Sequence, residues 1–197
     1  MQKIPTLFQR NYDGDHLVRN EVNPAAQWVL DGEGTPTRKY DGTCCMTRDG
    51  VLYKRYELKC GKTAPEGFEA AQSDADPVTG ETPGWVPVGD GPEDHWHREA
   101  FGGFFSQLYP IYMDQRRRSE PTYELVGPKI GKNAEKAEAH MLFAHGAEQL
   151  YGVPRDYEGL RQYLADHALE GIVWHHRDGR ACKIKRRDYG LPWPVKE

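Results

Sequence analysis

Polar and apolar positions alternate with a period of two in the segment "EGIVWHHRDGRACKIKRRDYG", which begins at Glu170. Two such runs flank Asp178-Gly179, a strong turn dipeptide, so the segment is predicted to form a hairpin. On its second strand the period puts Lys183 and Lys185 on one face and Ile184 on the other. On its first strand the same rule groups Glu170, Ile172 and Trp174. A second hairpin is predicted from strands over Thr37–Met46 and Val51–Leu58, joined at Arg48-Asp49-Gly50. "PTYELVGPKI", from Pro121, reads as a further strand rich in β-formers and bounded by Gly and Pro. Two segments read as helices. In "RDYEGLRQYLADHAL", Asp156 is a suitable N-cap, and Leu160, Tyr163 and Leu164 recur at helical spacing. "AEKAEAHMLFAHGAEQL", from Ala134, is also helix-like, although Gly146 weakens its second half.

Composition sharpens this mixed α and β pattern. At 197 residues the chain fits one domain, predicted over 1–197. Only 38% of residues are hydrophobic, yet five Trp, eleven Tyr and six Phe supply apolar surface for a core. A formal charge of −4 argues against a protein that coats polyanions generally, while leaving local basic patches such as Arg116–Arg118 and "KIKRRD". The stretch from Glu66 to Glu99 is acidic and rich in Pro and Gly. It reads as a long loop, packed by Trp85 and Trp96 or covering a cleft. The start of the chain has no apolar signal core and no run reaches spanning length, so a cytoplasmic protein away from membranes is expected. Cys44, Cys45, Cys60 and Cys182 form no C-x-x-C pair and read as small buried thiols in a reducing compartment. His95 and His97 would share a face on a strand, but no third ligand stands at suitable spacing, so no zinc site is expected.

The candidate chemistry centres on lysine. Lys39 stands two residues before Asp41-Gly42 within a strand-like run. A solvated lysine is protonated at neutral pH and not nucleophilic; neighbouring cations, a metal or a dry pocket would release its lone pair. Lys39 with Lys183 and Lys185 would suit attack on a nucleotide phosphorus and neutralisation of the phosphate oxygens. Glu170 and Glu124 would serve as metal ligand and hydroxyl acceptor. Each has an ordinary alternative: Lys39 as a solvated side chain, the two glutamates as edge-strand charges, the basic run as a solvated face.

Taken in order, these segments resemble the covalent nucleotidyltransferase superfamily of ATP-dependent polynucleotide ligases and capping enzymes. "KYDG" at Lys39 matches the nucleophile motif K-x-D-G, "YELVG" at Tyr123 the ribose-binding acidic motif, "EGIVW" at Glu170 the metal-associated motif, and "KIK" at Lys183 the final K-x-K motif. "YKRYE", from Tyr53, sits where a basic residue contacts phosphate; Arg55 is that residue, with Lys54 and Lys59 as competitors. The closer resemblance is to small stand-alone RNA ligases that join 5′-phosphate and 3′-hydroxyl ends. It implies an α+β nucleotidyltransferase fold, with twisted antiparallel sheets around a nucleotide cleft and helices outside. It implies Lys39 as nucleophile, Glu124 on the ribose, Glu170 on Mg²⁺ (or Mn²⁺), and Lys183 and Lys185 on the α-phosphate of ATP. RNA would be held by Arg55, Arg186, Arg187 and Arg116–Arg118, with no obligate protein partner.

Because little sequence follows K-x-K before Glu197, no C-terminal OB-fold is expected, which argues against a guanylyltransferase or a typical DNA ligase. Those two activities, and a non-catalytic RNA-end-binding protein, are the alternatives. Retention of Lys39, Glu170 and both late lysines favours catalysis.

Overall fold

The computed structural model describes residues 3–77, 79–107 and 121–195, with the side chains of 104–107 left aside. Arg116–Arg118 lie outside the described residues. The chain forms two compact units: a terminal unit of Ile4–Tyr40 with Gly146–Glu197, and a central unit of Asp41–His145 with Met1–Lys3.

The terminal unit begins with β1 (Phe8–Arg10), β2 (Val18–Val22), α1 (Gln27–Leu30) and β3 (Thr35–Lys39). The central unit follows with β4 (Thr43–Arg48), β5 (Val51–Leu58), β6 (Glu69–Ala70), β7 (Thr82–Pro87), α2 (His95–Gln107), β8 (Thr122–Val126) and β9 (Met141–Ala144). The chain then completes the terminal unit with α3 (Tyr157–Asp166), β10 (Gly171–His175) and β11 (Ala181–Lys185). Every pairing within the sheets is antiparallel. The architecture is α+β with few helices, as the pattern predicts. No helix among the described residues is long and apolar enough to cross a membrane.

In the terminal unit the strand order β11-β10-β3 makes a three-stranded sheet, beside a β1-β2 ribbon. The alternation read from sequence does the packing: Ile172, Trp174, Cys182 and Ile184 are fully buried, and Leu160 and Leu164 of α3 join them in one core with Leu7 and Val29. Asp156 caps α3 by accepting the Gly159 N–H at 2.8 Å. Irregular chain extends both edges of the sheet. Leu7 N–H donates to Lys183 O (2.8 Å) and Lys183 N–H to Pro5 O (3.0 Å). Opposite them, Arg38 N–H donates to Glu148 O (2.9 Å) and Leu150 N–H to Pro36 O (2.9 Å).

In the central unit six strands run in the order β6-β7-β5-β4-β8-β9 over a core of Cys45, Leu52, Tyr123, Leu125 and Leu142 with Ala100 of α2. The β4–β5 hairpin turns at Asp49 and Gly50 with φ of +50° and +77°, the left-handed pair that a two-residue hairpin turn requires.

Four expectations are corrected. The strand over Thr37–Met46 is two strands, β3 and β4, which belong to different sheets and different units. Between them Gly42 turns no corner with positive φ; it lets the backbone approach β8, where a Cβ would lie 2.1 Å from Leu125 O. The helix expected from Ala134 is absent. Lys132, Asn133 and Lys136 have φ of +60°, +52° and +54°, and Met141–Ala144 pairs with β8 instead. The acidic segment contains strands rather than one long loop: β7 pairs with both β5 and β6, and Trp85 is buried. Gly84 permits this, since a Cβ there would strike the Phe68 ring at 2.2 Å. Finally, Glu170 lies one residue ahead of β10, and its carboxylate meets Lys39 rather than joining Ile172 and Trp174 in the core.

Candidate active site

The register of the terminal sheet assembles the lysines. Gly171 stands opposite Lys39 on one side and Lys185 on the other; Val173 stands between Thr37 and Lys183 in the same way. Directly opposed residues of antiparallel strands project to one face, so Lys39, Lys183 and Lys185 share the face away from Ile172, Trp174 and Ile184. Gly171 is needed between them because a Cβ would lie 2.3 Å from Ile184 O.

On that face Lys39 Nζ lies 2.5 Å from Glu170 Oε2 and donates to Tyr40 O at 3.2 Å. The Glu170 side chain is 9% exposed and that of Lys39 is 23% exposed. A carboxylate so buried is costly without a partner, and Lys39 is that partner. Burial pulls the Lys183 ammonium down from its ordinary value to about 8, helped by the cations of Lys185 and Lys39 and opposed by Asp188 and Glu170. The end of β11 is pinned by Asp188, 1% exposed, whose Oδ2 accepts the Lys185 N–H at 2.8 Å while Oδ1 binds the Arg10 guanidinium. Three ammonium groups beside the Glu170 carboxylate make a face suited to a phosphate with a cation.

The remaining predicted residues have other settings. Arg186, expected to contact RNA, is 4% exposed. Its guanidinium donates to Pro192 O (2.9 Å), His167 O (2.9 Å) and Leu164 O, so it ties the end of α3 to the turn after β11. This is a structural role, and it corrects the RNA-contact expectation. Arg187 is exposed, with Nη2 donating to Trp193 O at 3.1 Å. Arg55 and Glu124 belong to the central unit. Arg55 Nε donates to Glu57 Oε1 at 3.0 Å, and its guanidinium lies 5.4 Å from the Trp85 ring centroid. Its competitor Lys54 is held by buried Asp94 at 2.5 Å. Glu124 accepts the Gly42 N–H on Oε1 at 3.1 Å, and its Oε2 lies 3.0 Å from His145 Nε2.

Sequence reasoning passed over Asp188, Arg10 and His145. Asp188 had a local signal, an acidic residue three positions after Lys185, as in a capping box. His145 has none, because its segment has the composition of a helix. His95 and His97 open α2 instead of lying on a strand, so residues two apart no longer share a face. Burial lowers the pKa of His97, partly offset by nearby Asp94. Of the cysteines, Cys45 and Cys182 are buried as expected, whereas Cys44 is half-buried and Cys60 exposed. Burial raises the Cys182 thiol to about 12.

Residues 110–197 match a family model described as RNA ligase 1. An RNA ligase 1 of Pongo abelii is 32% identical over 164 residues, covering 68% of this chain and 50% of that protein. One of Mus musculus is 29% identical over 167 residues, covering 72% and 47%. One of Danio rerio is 29% identical over 139 residues, covering 59% and 43%. The chain thus spans about half the length of the curated relatives it matches. Together, the family match and these relatives support assignment of the chain to the RNA ligase family.

Proposed function

We propose that the protein is an ATP-dependent RNA ligase on a nucleotidyltransferase fold, joining 5′-phosphate and 3′-hydroxyl ends. The observation that carries this reading is the shared sheet face of Lys39, Lys183 and Lys185, with Glu170 Oε2 2.5 Å from Lys39 Nζ. The relatives named RNA ligase 1 support the same reaction class.

Lys39 Nζ, after losing a proton, attacks the α-phosphorus of ATP. An N–P bond forms, the P–O bond to pyrophosphate breaks, and a lysyl–AMP phosphoramidate results. An oxygen of the RNA 5′-phosphate then takes the AMP and frees Lys39. A 3′-hydroxyl finally attacks that 5′-phosphorus and expels AMP. Glu170 orients Lys39 Nζ through their contact, while Lys183 and Lys185 offset charge developing on the phosphate oxygens. A carboxylate beside a phosphate site fits Mg²⁺, which is commonly held by one or two carboxylates plus substrate phosphates and keeps several waters. Glu170 would hold it, or Mn²⁺ in its place, and the ion supplies further neutralisation of the phosphates. For the central unit the family resemblance assigns Glu124 to the nucleotide ribose and Arg55 to a phosphate or RNA end. Arg187 contributes an RNA phosphate contact.

The test is transfer of label from α-phosphate-labelled ATP to the protein with Mg²⁺, comparing wild type with Lys39→Ala. Label that survives denaturation, is lost in Lys39→Ala and moves to 5′-phosphorylated RNA is the expected result. Labelling that persists in Lys39→Ala would remove Lys39 as nucleophile. Labelling from GTP alone would turn the reading to guanylyl transfer, and labelling from neither to RNA-end binding without turnover.

A further inference from the structure

A second cluster of chemically active side chains lies wholly in the central unit. Across β4 and β8, Cys44 stands opposite Glu124, so their side chains share a face of the six-stranded sheet. On that face Thr122 lies two residues before Glu124 along β8. Just past β9, the His145 N–H donates to Thr122 O at 3.0 Å, continuing the β8–β9 pairing and setting His145 opposite Thr122. The outcome is that a thiol, a carboxylate oxygen and an imidazole nitrogen all lie within 4.8 Å of one another. Neighbouring Cys45 points the other way, into the core.

The donors are also oriented from behind. His145 Nδ1 lies 3.0 Å from Thr122 Oγ1, leaving Nε2 directed at Glu124 Oε2, also 3.0 Å away. The Gly42 N–H holds the other carboxylate oxygen at 3.1 Å. Such outer-shell hydrogen bonds fix ring orientation and ligand basicity at metal centres. Around tetrahedral zinc, bonds of about 2.0 Å to N and O and about 2.3 Å to S place donor atoms roughly 3.3–3.5 Å apart. The Glu–His pair is already near that spacing, and the Cys44 thiol lies within 4.8 Å of both. All three residues are half-buried, and a zinc site with three protein ligands takes its fourth from water or substrate.

We propose that Cys44, Glu124 and His145 form a transition-metal site of the Zn²⁺ class, with Thr122 and the Gly42 N–H as its outer shell. Thiolate and imidazole select a borderline-soft ion and disfavour Mg²⁺, so this centre is distinct from the cation assigned to Glu170. It shares Glu124 with the ribose contact proposed above but none of the lysine face, and metal binding read without nucleotide tests it apart from ligation.

The experiment is titration of the whole, reduced protein with Co²⁺, a spectroscopic substitute for Zn²⁺. We expect one equivalent to bind with a sulfur-to-cobalt charge-transfer band and tetrahedral visible bands, both abolished by added Zn²⁺. Cys44→Ser should remove the charge-transfer band, and Thr122→Ala, which keeps every ligand, should weaken binding by about 10- to 100-fold. Cys60→Ser, altering the exposed thiol, should change nothing. Far-ultraviolet circular dichroism checks that each variant is folded. Absence of the bands in wild type, their survival in folded Cys44→Ser, or their loss in Cys60→Ser would overturn the proposal.

Discussion

Lys183 shows how a single side chain carries information about pH. Its pKa in the folded protein is about 8, against an ordinary value of 10.5, because burial and two cations disfavour its charge. Below pH 8 both folded and unfolded chains hold the proton, and the folded state bears the full cost of the buried ammonium. That cost is relieved as pH rises from 8 towards 10.5, so this group makes stability increase with pH across that window. The charge that Lys183 would offer a phosphate in the proposed reaction fades over the same range. ATP affinity measured by calorimetry should therefore weaken between pH 7.5 and 9.5. Lys183→Arg, whose guanidinium stays charged, should flatten that dependence. The placement of Lys183 and Lys185 on one face was legible in the alternation along "ACKIK". The Lys39–Glu170 contact was not, because it joins residues 131 apart in sequence.

At the scale of elements, close backbone approach imposes sharp constraints. Gly171 sits mid-sheet with Ile184 O only 2.3 Å from where a Cβ would be. Gly171→Ala should force β10 and β11 apart and cost about 3 kcal/mol, read from chemical denaturation. Labelling from ATP should fall with it, since Glu170 immediately precedes β10 and both late lysines lie on β11. Both Asp-Gly hairpins and α3 could be read directly, because turn chemistry, cap and period act within a few residues. The segment from Ala134 misled for the converse reason. Its composition favours a helix, but pairing of Met141–Ala144 with β8, together with three positive φ values before it, outweighs that weak preference. For α2, the start signal was present in Pro92-Glu93-Asp94, proline followed by acids, but the surrounding Pro and Gly hid it.

At the scale of the whole molecule, two separate hydrophobic cores underlie the two units. Leu164 is fully buried in the terminal core beside Ile172 and Trp174. Leu164→Ala should lower amide protection across α3 and β10 by about 3 kcal/mol, measured by native-state hydrogen exchange. A smaller loss across β4, β5 and β8 is the expected contrast. The net charge of −4 says little about an anionic substrate, because the sheet register concentrates three cations on one face irrespective of the chain total.

The sequence by itself determined the α+β character, the hairpins at Asp49-Gly50 and Asp178-Gly179, the capped helix after Asp156, and the split of Lys183 and Lys185 from Ile184. These follow from periods and turn preferences that operate over a few residues. Tertiary structure alone decided that β3 and β4 part company at Asp41-Gly42, that Arg186 turns inward to three carbonyls, and that Glu170 meets Lys39. It also gathered Cys44, Glu124 and His145, which no motif spacing connects. Each depends on pairing between distant segments, where burial and register, rather than local preference, set the free energy.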